Sequence, residues 1–232
     1  MPAAWQRRKA MGKTVLLTGA TGMVGGQVLT LLLDHPDVDT VISVGRRETG
    51  VTNGKLREIV HTDFGDFSSL RSALTGIDVC FHCLGVYQGQ VTKQDFETIT
   101  CGYQKALTDT LAVASPQATF VLFGASGADP SGKSRTTFAR FKGRAESLLQ
   151  AAGFPRTYIF RPGYIHATGS RKPAGLAYIL ARPLFTVLFR LFPAIGITDR
   201  DLAGAMVATG MAARAESGVF DNRSIRAMAG VR

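Results

Sequence analysis

The sequence predicts an α/β fold built on a doubly wound parallel sheet, with helices on both faces and a small helical cap near the C-terminus. Three observations lead there. The stretch Thr14-Val-Leu-Leu-Thr-Gly-Ala-Thr-Gly-Met-Val-Gly-Gly-Gln-Val-Leu29 joins an uncharged apolar run to a glycine-punctuated turn, then to Val24, Val28, Leu31 and Leu32 at helical spacing. Beyond it, strand-like runs alternate with helical patterns, the order that βαβ units require. A chain of 232 residues with 45% hydrophobic content can also bury one full core.

Each element has its own signal. Val15 to Leu17 reads as a buried strand, and the helix after it ends at the turn residues Asp34, Pro36 and Asp37. Strands are then expected at Val41–Val44, Glu58–Thr62, Val79–Cys83, Thr119–Phe123 and Thr157–Phe160. Between them, helices are expected at Ser68–Leu74, at about Asp95–Ala114 and at Thr136–Ala152, the last two stopped before Pro116 and at Gly153. After Arg161-Pro-Gly163 the rhythm changes. Lys172 to Ile197 is apolar and proline-broken, and Thr198 with Asp201 three residues on caps a last helix to about Arg214. The expected organisation is a disordered basic arm at 1–13 and a single domain at 14–232, with a core at 14–165, an apolar helical cap at 166–197 and a closing helix and tail at 198–232.

Lys and Arg exceed Asp and Glu by ten charges. The cations are scattered singly and in pairs, without the tract of a nucleic-acid module, so no specific nucleic-acid partner is expected. Three dispersed cysteines and no signal-peptide pattern lead to the expectation of a reducing, cytoplasmic location. Cys80 and Cys83 form a C-x-x-C, but inside an apolar strand run they read as buried thiols, not as a metal or redox pair. His82 in the same run reads as a core histidine. The 172–197 segment is expected to line an apolar substrate pocket or to meet a second copy or a protein partner; peripheral membrane contact is the alternative.

The glycine turn is where chemistry enters. Gly19, Gly22 and Gly25 let the backbone turn and approach a pyrophosphate, while free N–H groups at Met23 and Val24 face the anion beside Thr21. About 20 residues further on, a dinucleotide fold reads the ribose. There the chain offers Arg46 and Arg47 in place of an acid, planar charged forks suited to a 2′-phosphate, so NADP(H) is the expected cofactor. Asp63 and Phe64 fall where the adenine would lie, and Leu84-Gly85 where the backbone would pass its middle.

The ordered set Thr18-Gly-Ala-Thr-Gly-Met-Val-Gly25, Gly45-Arg-Arg47, Asp63-Phe64, Cys83-Leu-Gly85, Gly127-Ala-Asp129, Lys142-Gly143 with Glu146, and Arg161-Pro-Gly163 resembles the atypical short-chain dehydrogenase/reductases. Within them it is similar to the HIV Tat-interacting-protein-like and NmrA-like groups. The resemblance implies a Rossmann-type domain binding NADP(H), with Lys142 on the cofactor ribose and the turn at Pro162, Tyr164 and Ile165 near the nicotinamide. One departure stands out. Active reductases of that superfamily carry Tyr-x-x-x-Lys, and here the stretch is Phe138-Ala-Arg-Phe-Lys142. Phenylalanine donates no proton. Phe138, Phe141, Ala145 and Leu148 also read as an apolar stripe. The expected function is an oxidoreductase on a small carbonyl-like substrate of apolar character, with Lys142, Ser126 and Tyr164 as candidate catalytic residues. The alternative is an NADPH-sensing regulator that binds a protein partner.

Overall fold

The computed structural model describes residues 12–86, 88–168, 195–212 and 216–231. In chain order the elements are β1 (Lys13–Thr18), α1 (Met23–Asp34), β2 (Val38–Gly45), β3 (Leu56–Val60), β4 (Val79–His82), α2 (Lys93–Glu97), α3 (Tyr103–Ala114), β5 (Thr119–Phe123) and α4 (Thr137–Ala151). They continue with β6 (Arg156–Arg161), β7 (Tyr164–His166), β8 (Gly196–Thr198), α5 (Asp199–Met211), β9 (Gly218–Asp221) and α6 (Asn222–Met228). Seven strands form one parallel sheet in the order β3-β2-β1-β4-β5-β6-β9, and β7 pairs with β8 apart from it. This is the Rossmann-type α/β fold expected from the sequence.

Strand alternation builds a core on each face of the sheet. Val15, Leu17, Val79, Phe81, Val121, Tyr158 and Phe160 point to the side covered by α1 and α5. Leu16, Cys80, Phe120, Leu122 and Ile159 point to the side covered by α3 and α4. The strand order reverses about β1, whose neighbours are β2 and β4. Ligands of such sheets bind outside the carboxyl ends at that reversal.

Several boundaries differ from expectation. The third strand begins at Leu56 and the helix expected at Ser68–Leu74 is one 3-10 turn, Ser68–Leu70. Asp66 fixes that turn, accepting from the Ser68 N–H and hydroxyl. The long helix starts earlier, at Lys93 behind the Thr92 cap, and holds a π turn at Thr98–Gly102. Lys13 already belongs to β1, so the arm expected at 1–13 gives way to the sheet at its last residue. The closing segment contributes β9 as well as helices; four residues are too few for a period-2 pattern to register. Thr198 caps α5 through the Asp201 N–H at 3.0 Å, as expected. Most of the apolar cap, residues 169–194, lies outside the described residues.

Candidate functional site

The glycine loop between β1 and α1 divides the carboxyl end of the sheet into two cavities. Gly19 turns the chain with φ of +80°. A Cβ there would lie 2.5 Å from the Cys83 carbonyl oxygen, and one on Gly25 would lie 2.1 Å from the Gly19 oxygen. Both contacts are with backbone that cannot yield, so glycine is required. Helix α1 then starts at Met23 with no side-chain cap and no acid in its first turn. The first intrahelical bond is from the Gly26 N–H to the Gly22 oxygen at 2.9 Å, so the N–H groups of Met23, Val24 and Gly25 are left for an anion.

On the β2 side a cavity of about 320 Å³ is lined by Gly19, Thr21, Arg46, Arg47, Phe64 and Leu84, with Ala20, Ser43 and Gly45 completing it. Both arginines are exposed and Phe64 is buried. Asp63 does not join them. Its carboxylate accepts from the Gly65 N–H at 2.9 Å and holds the turn after β3.

On the α4 side a second cavity, about 270 Å³, takes in Gly22, Met23, Val24, Gly25 and Gly85 from the elements around the loop. Phe138, Lys142, Pro162, Gly163 and Ile165 close it. Phe138 and Lys142 stand one turn apart on α4, which is the spacing at which side chains share a helix face. The Phe138 ring stacks on Phe96 at 6.0 Å, with the planes 18° apart. The apolar stripe expected on this helix exists, and Phe138 serves both it and the cavity.

Burial pulls the Lys142 ammonium below the usual lysine range, with Cys101 and Glu146 opposing. Behind the lysine, the buried Glu146 carboxylate is held by Arg161, whose Nε donates to Oε1 at 2.9 Å while Nη2 bonds Oε2. This pair ties α4 to the end of β6, just before Pro162 and Gly163. His82 is a core histidine, as expected, with Nδ1 2.8 Å from the Thr18 hydroxyl. Burial, followed by the charge of Lys142, lowers its pKa to about 3. Cys80 and Cys83 are buried and free, and burial pushes the Cys83 thiol up to about 12. Among the described residues no group of His, Cys, Asp or Glu is placed to hold a metal.

Two candidate catalytic residues are not brought into this cavity. Ser126 is exposed, and its N–H donates to the Pro162 carbonyl at 2.9 Å, turning the loop after β5 so that Ala125 lines the cavity instead. Tyr164 lies on the opposite side of β7 from Ile165, because successive strand residues alternate, and only Ile165 is a lining residue. Val86, Phe123, Gly124 and Ala125 line it without having been singled out in the sequence. The last three follow directly from the rule that strand ends carry the site, applied to β5.

The residues present fit a nicotinamide dinucleotide: a loop in which Gly19 and Gly25 have no room for a side chain, a helix start open to phosphate, and a cavity on each side of it. Comparison with known proteins agrees. Residues 15–145 match the model of the NAD dependent epimerase/dehydratase family. The chain is similar to protein fmp52, mitochondrial, of Emericella nidulans, 34% identical over 180 residues and covering 72% of each chain. Among solved structures it is similar to MoeE5 in complex with UDP-glucose and NAD, with TM-score 0.66, 17% identity and coverage of 94% of this chain and 81% of that one. It is also similar to a short chain dehydrogenase from Burkholderia cenocepacia in complex with NADP, with TM-score 0.67, 14% identity and coverage of 94% and 92%. The expected cytoplasmic location is overturned by the fmp52 relatives. The fmp52 relatives, at 26–35% identity, are named as mitochondrial proteins, and cysteine usage cannot tell one reducing compartment from another. With the family model matching more than half of its residues and a relative of this identity, the chain belongs to the NAD dependent epimerase/dehydratase family.

Proposed function

We propose that this protein is an NADP(H)-dependent oxidoreductase of the atypical short-chain dehydrogenase/reductase kind, in the HIV Tat-interacting-protein-like and NmrA-like range, acting on a small carbonyl-like acceptor of apolar character. The observation that carries this reading is the pairing of two cavities about one glycine loop, with Arg46 and Arg47 on the first and Lys142 on the second. The arginine forks suit a 2′-phosphate, and no acid lines that cavity among the described residues. Lys142 would hold the ribose and set a positive charge beside the acceptor. The glycine loop and the open helix start would hold the pyrophosphate. When bound, the dinucleotide supplies a hydride. Met23, Phe138 and Ile165 exclude water from the place where it is used. The mitochondrial names of the fmp52 relatives support a mitochondrial location for this chain as well.

Phe138 favours a second reading, a protein that binds NADPH and signals its state to a partner without turnover. Parallel titration of NADPH and NADH against wild type and Arg47→Ala tests the cofactor assignment. Hydrogen bonds to charged groups are worth roughly 1.5 to 3 kcal/mol, and about 1.4 kcal/mol is tenfold in affinity. The variant is expected to lose about 10- to 100-fold for NADPH and little for NADH. Equal losses for both would remove the 2′-phosphate reading.

A further inference from the structure

The cavity on the α4 side carries a statement about which acceptors it can reduce. Its described lining includes the large apolar side chains of Met23, Val86, Phe123, Phe138 and Ile165, and only two ionisable groups, Cys83 and Lys142. The Cys83 thiol is buried and carries no mobile charge near neutral pH. Lys142 is therefore the one cation facing the acceptor among the described lining residues. Among the described lining residues no hydroxyl stands beside it. The ring of Phe138 is fixed against the fully buried Phe96, so the aromatic wall is firm.

Reduction of a simple ketone leaves an alkoxide, which is about as basic as hydroxide, its conjugate acid as weak as bulk water. Such an anion needs a proton donor in the transition state. Reduction of a quinone leaves a phenolate-type anion, with a conjugate acid near the pKa of about 10 of a phenol. A neighbouring ammonium stabilises that anion by charge alone, and the proton can come later from water. The described lining, apolar and aromatic with one cation and no hydroxyl, suits the second product and not the first.

Resting on the oxidoreductase reading above, we propose that the acceptor is a quinone of one or two rings, seated against Phe138 with an oxygen toward Lys142. The quinone accepts two electrons and one proton, as hydride, from a reduced nicotinamide dinucleotide, which is left oxidised. One quinone oxygen ends as a hydroxyl; the other, first an anion, takes its proton from water to give the hydroquinone.

The test compares menadione with 1-tetralone, a ketone on a similar two-ring skeleton, after NADPH binding to the full chain has been measured. The expected result is NADPH oxidation at least 100-fold faster with menadione than with the ketone, above the protein-free rate. Calorimetric titration of menadione into protein saturated with NADP⁺, where no turnover occurs, should show binding. Phe138→Leu, which keeps apolar volume in the core, should weaken that binding about tenfold while NADPH affinity is retained. Equal rates on the two acceptors, or no binding of menadione to the NADP⁺-saturated protein, would overturn the quinone assignment and leave cofactor binding standing. Absence of NADPH binding would instead overturn the reading on which it rests.

Discussion

The two cavities beside the glycine loop share a wall and differ in almost everything else. The one on the β2 side is open and charged, with two exposed arginines over a buried phenylalanine ring. The described lining of the one on the α4 side is apolar, with one lysine facing it and a phenylalanine at the position to which the resemblance in sequence gives a phenol. Recognition of an anionic cofactor needs charges that water can reach and backbone that can come close. Chemistry on a carbonyl needs a proton at a fixed point, and on the proposed function the described lining of the second cavity offers no hydroxyl to give one. On the proposed function, binding and catalysis are thus separable on this fold: the cofactor's cavity keeps its charges and close backbone, while the acceptor's cavity carries the ring of Phe138.

The largest effect is expected at the shared wall. A Cβ at Gly25 would meet the Gly19 carbonyl oxygen at 2.1 Å and the Cys83 Cβ at 3.2 Å, so Gly25→Val must displace the loop from both cavities. NADPH affinity should fall at least 100-fold, with circular dichroism retained. Gly22→Ala is the control, since its Cβ would meet only the Gly19 oxygen at 3.1 Å and the loss should be a few-fold. If the two variants bind alike, the loop is not the common wall.

A smaller effect belongs to the scaffold behind the apolar cavity. Removing one partner of a buried ion pair strands the other charge, at a cost of roughly 3–5 kcal/mol. The Arg161 side chain is 26% exposed, so Glu146→Leu should lose about 3 kcal/mol, the low end of that range, in urea unfolding. The double variant Glu146→Leu/Arg161→Leu should recover most of it. Failure to recover would show that Glu146 acts through something other than Arg161.

How much of this was legible in the sequence follows the same division. The glycine loop and the arginine pair are backbone and charge features at fixed chain spacing, and they line the cavities at the carboxyl end of the sheet. Ser126 and Tyr164 depended on which way a loop and a short strand face. The first is decided by a backbone hydrogen bond to Pro162, and the second by the pairing of Tyr164–His166 with Gly196–Thr198. Neither partner is near in sequence terms that periodicity can read. Asp63 lies just past the end of β3, and its carboxylate is engaged by its own turn. Location was misread because buried thiols report reducing conditions and not an address.

The smallest effect concerns His82, beneath the loop that both cavities share. Its folded pKa of about 3 lies below the ordinary 6.5, so the native state binds fewer protons than the unfolded chain between those values. Stability is therefore fully present above pH 6.5 and falls as pH drops toward 3, with a slope of about 1.4 kcal/mol per pH unit from this group. Urea unfolding at pH 6.5 and 4.5 should show that extra loss in wild type and not in His82→Gln. Parallel slopes in the two proteins would mean that His82 can take a proton without leaving the core.

The contrast between the cavities is tested most directly by Phe138→Tyr, which restores the missing phenol one turn from Lys142. General acid catalysis typically contributes about 10² to 10⁴ in rate. Measured as single-turnover reduction of 1-tetralone at saturating NADPH, the variant is expected to exceed wild type by about 100-fold or more, with NADPH affinity retained. Brisk wild-type reduction of the ketone, with no gain in the variant, would contradict it and show that this cavity already holds its proton donor.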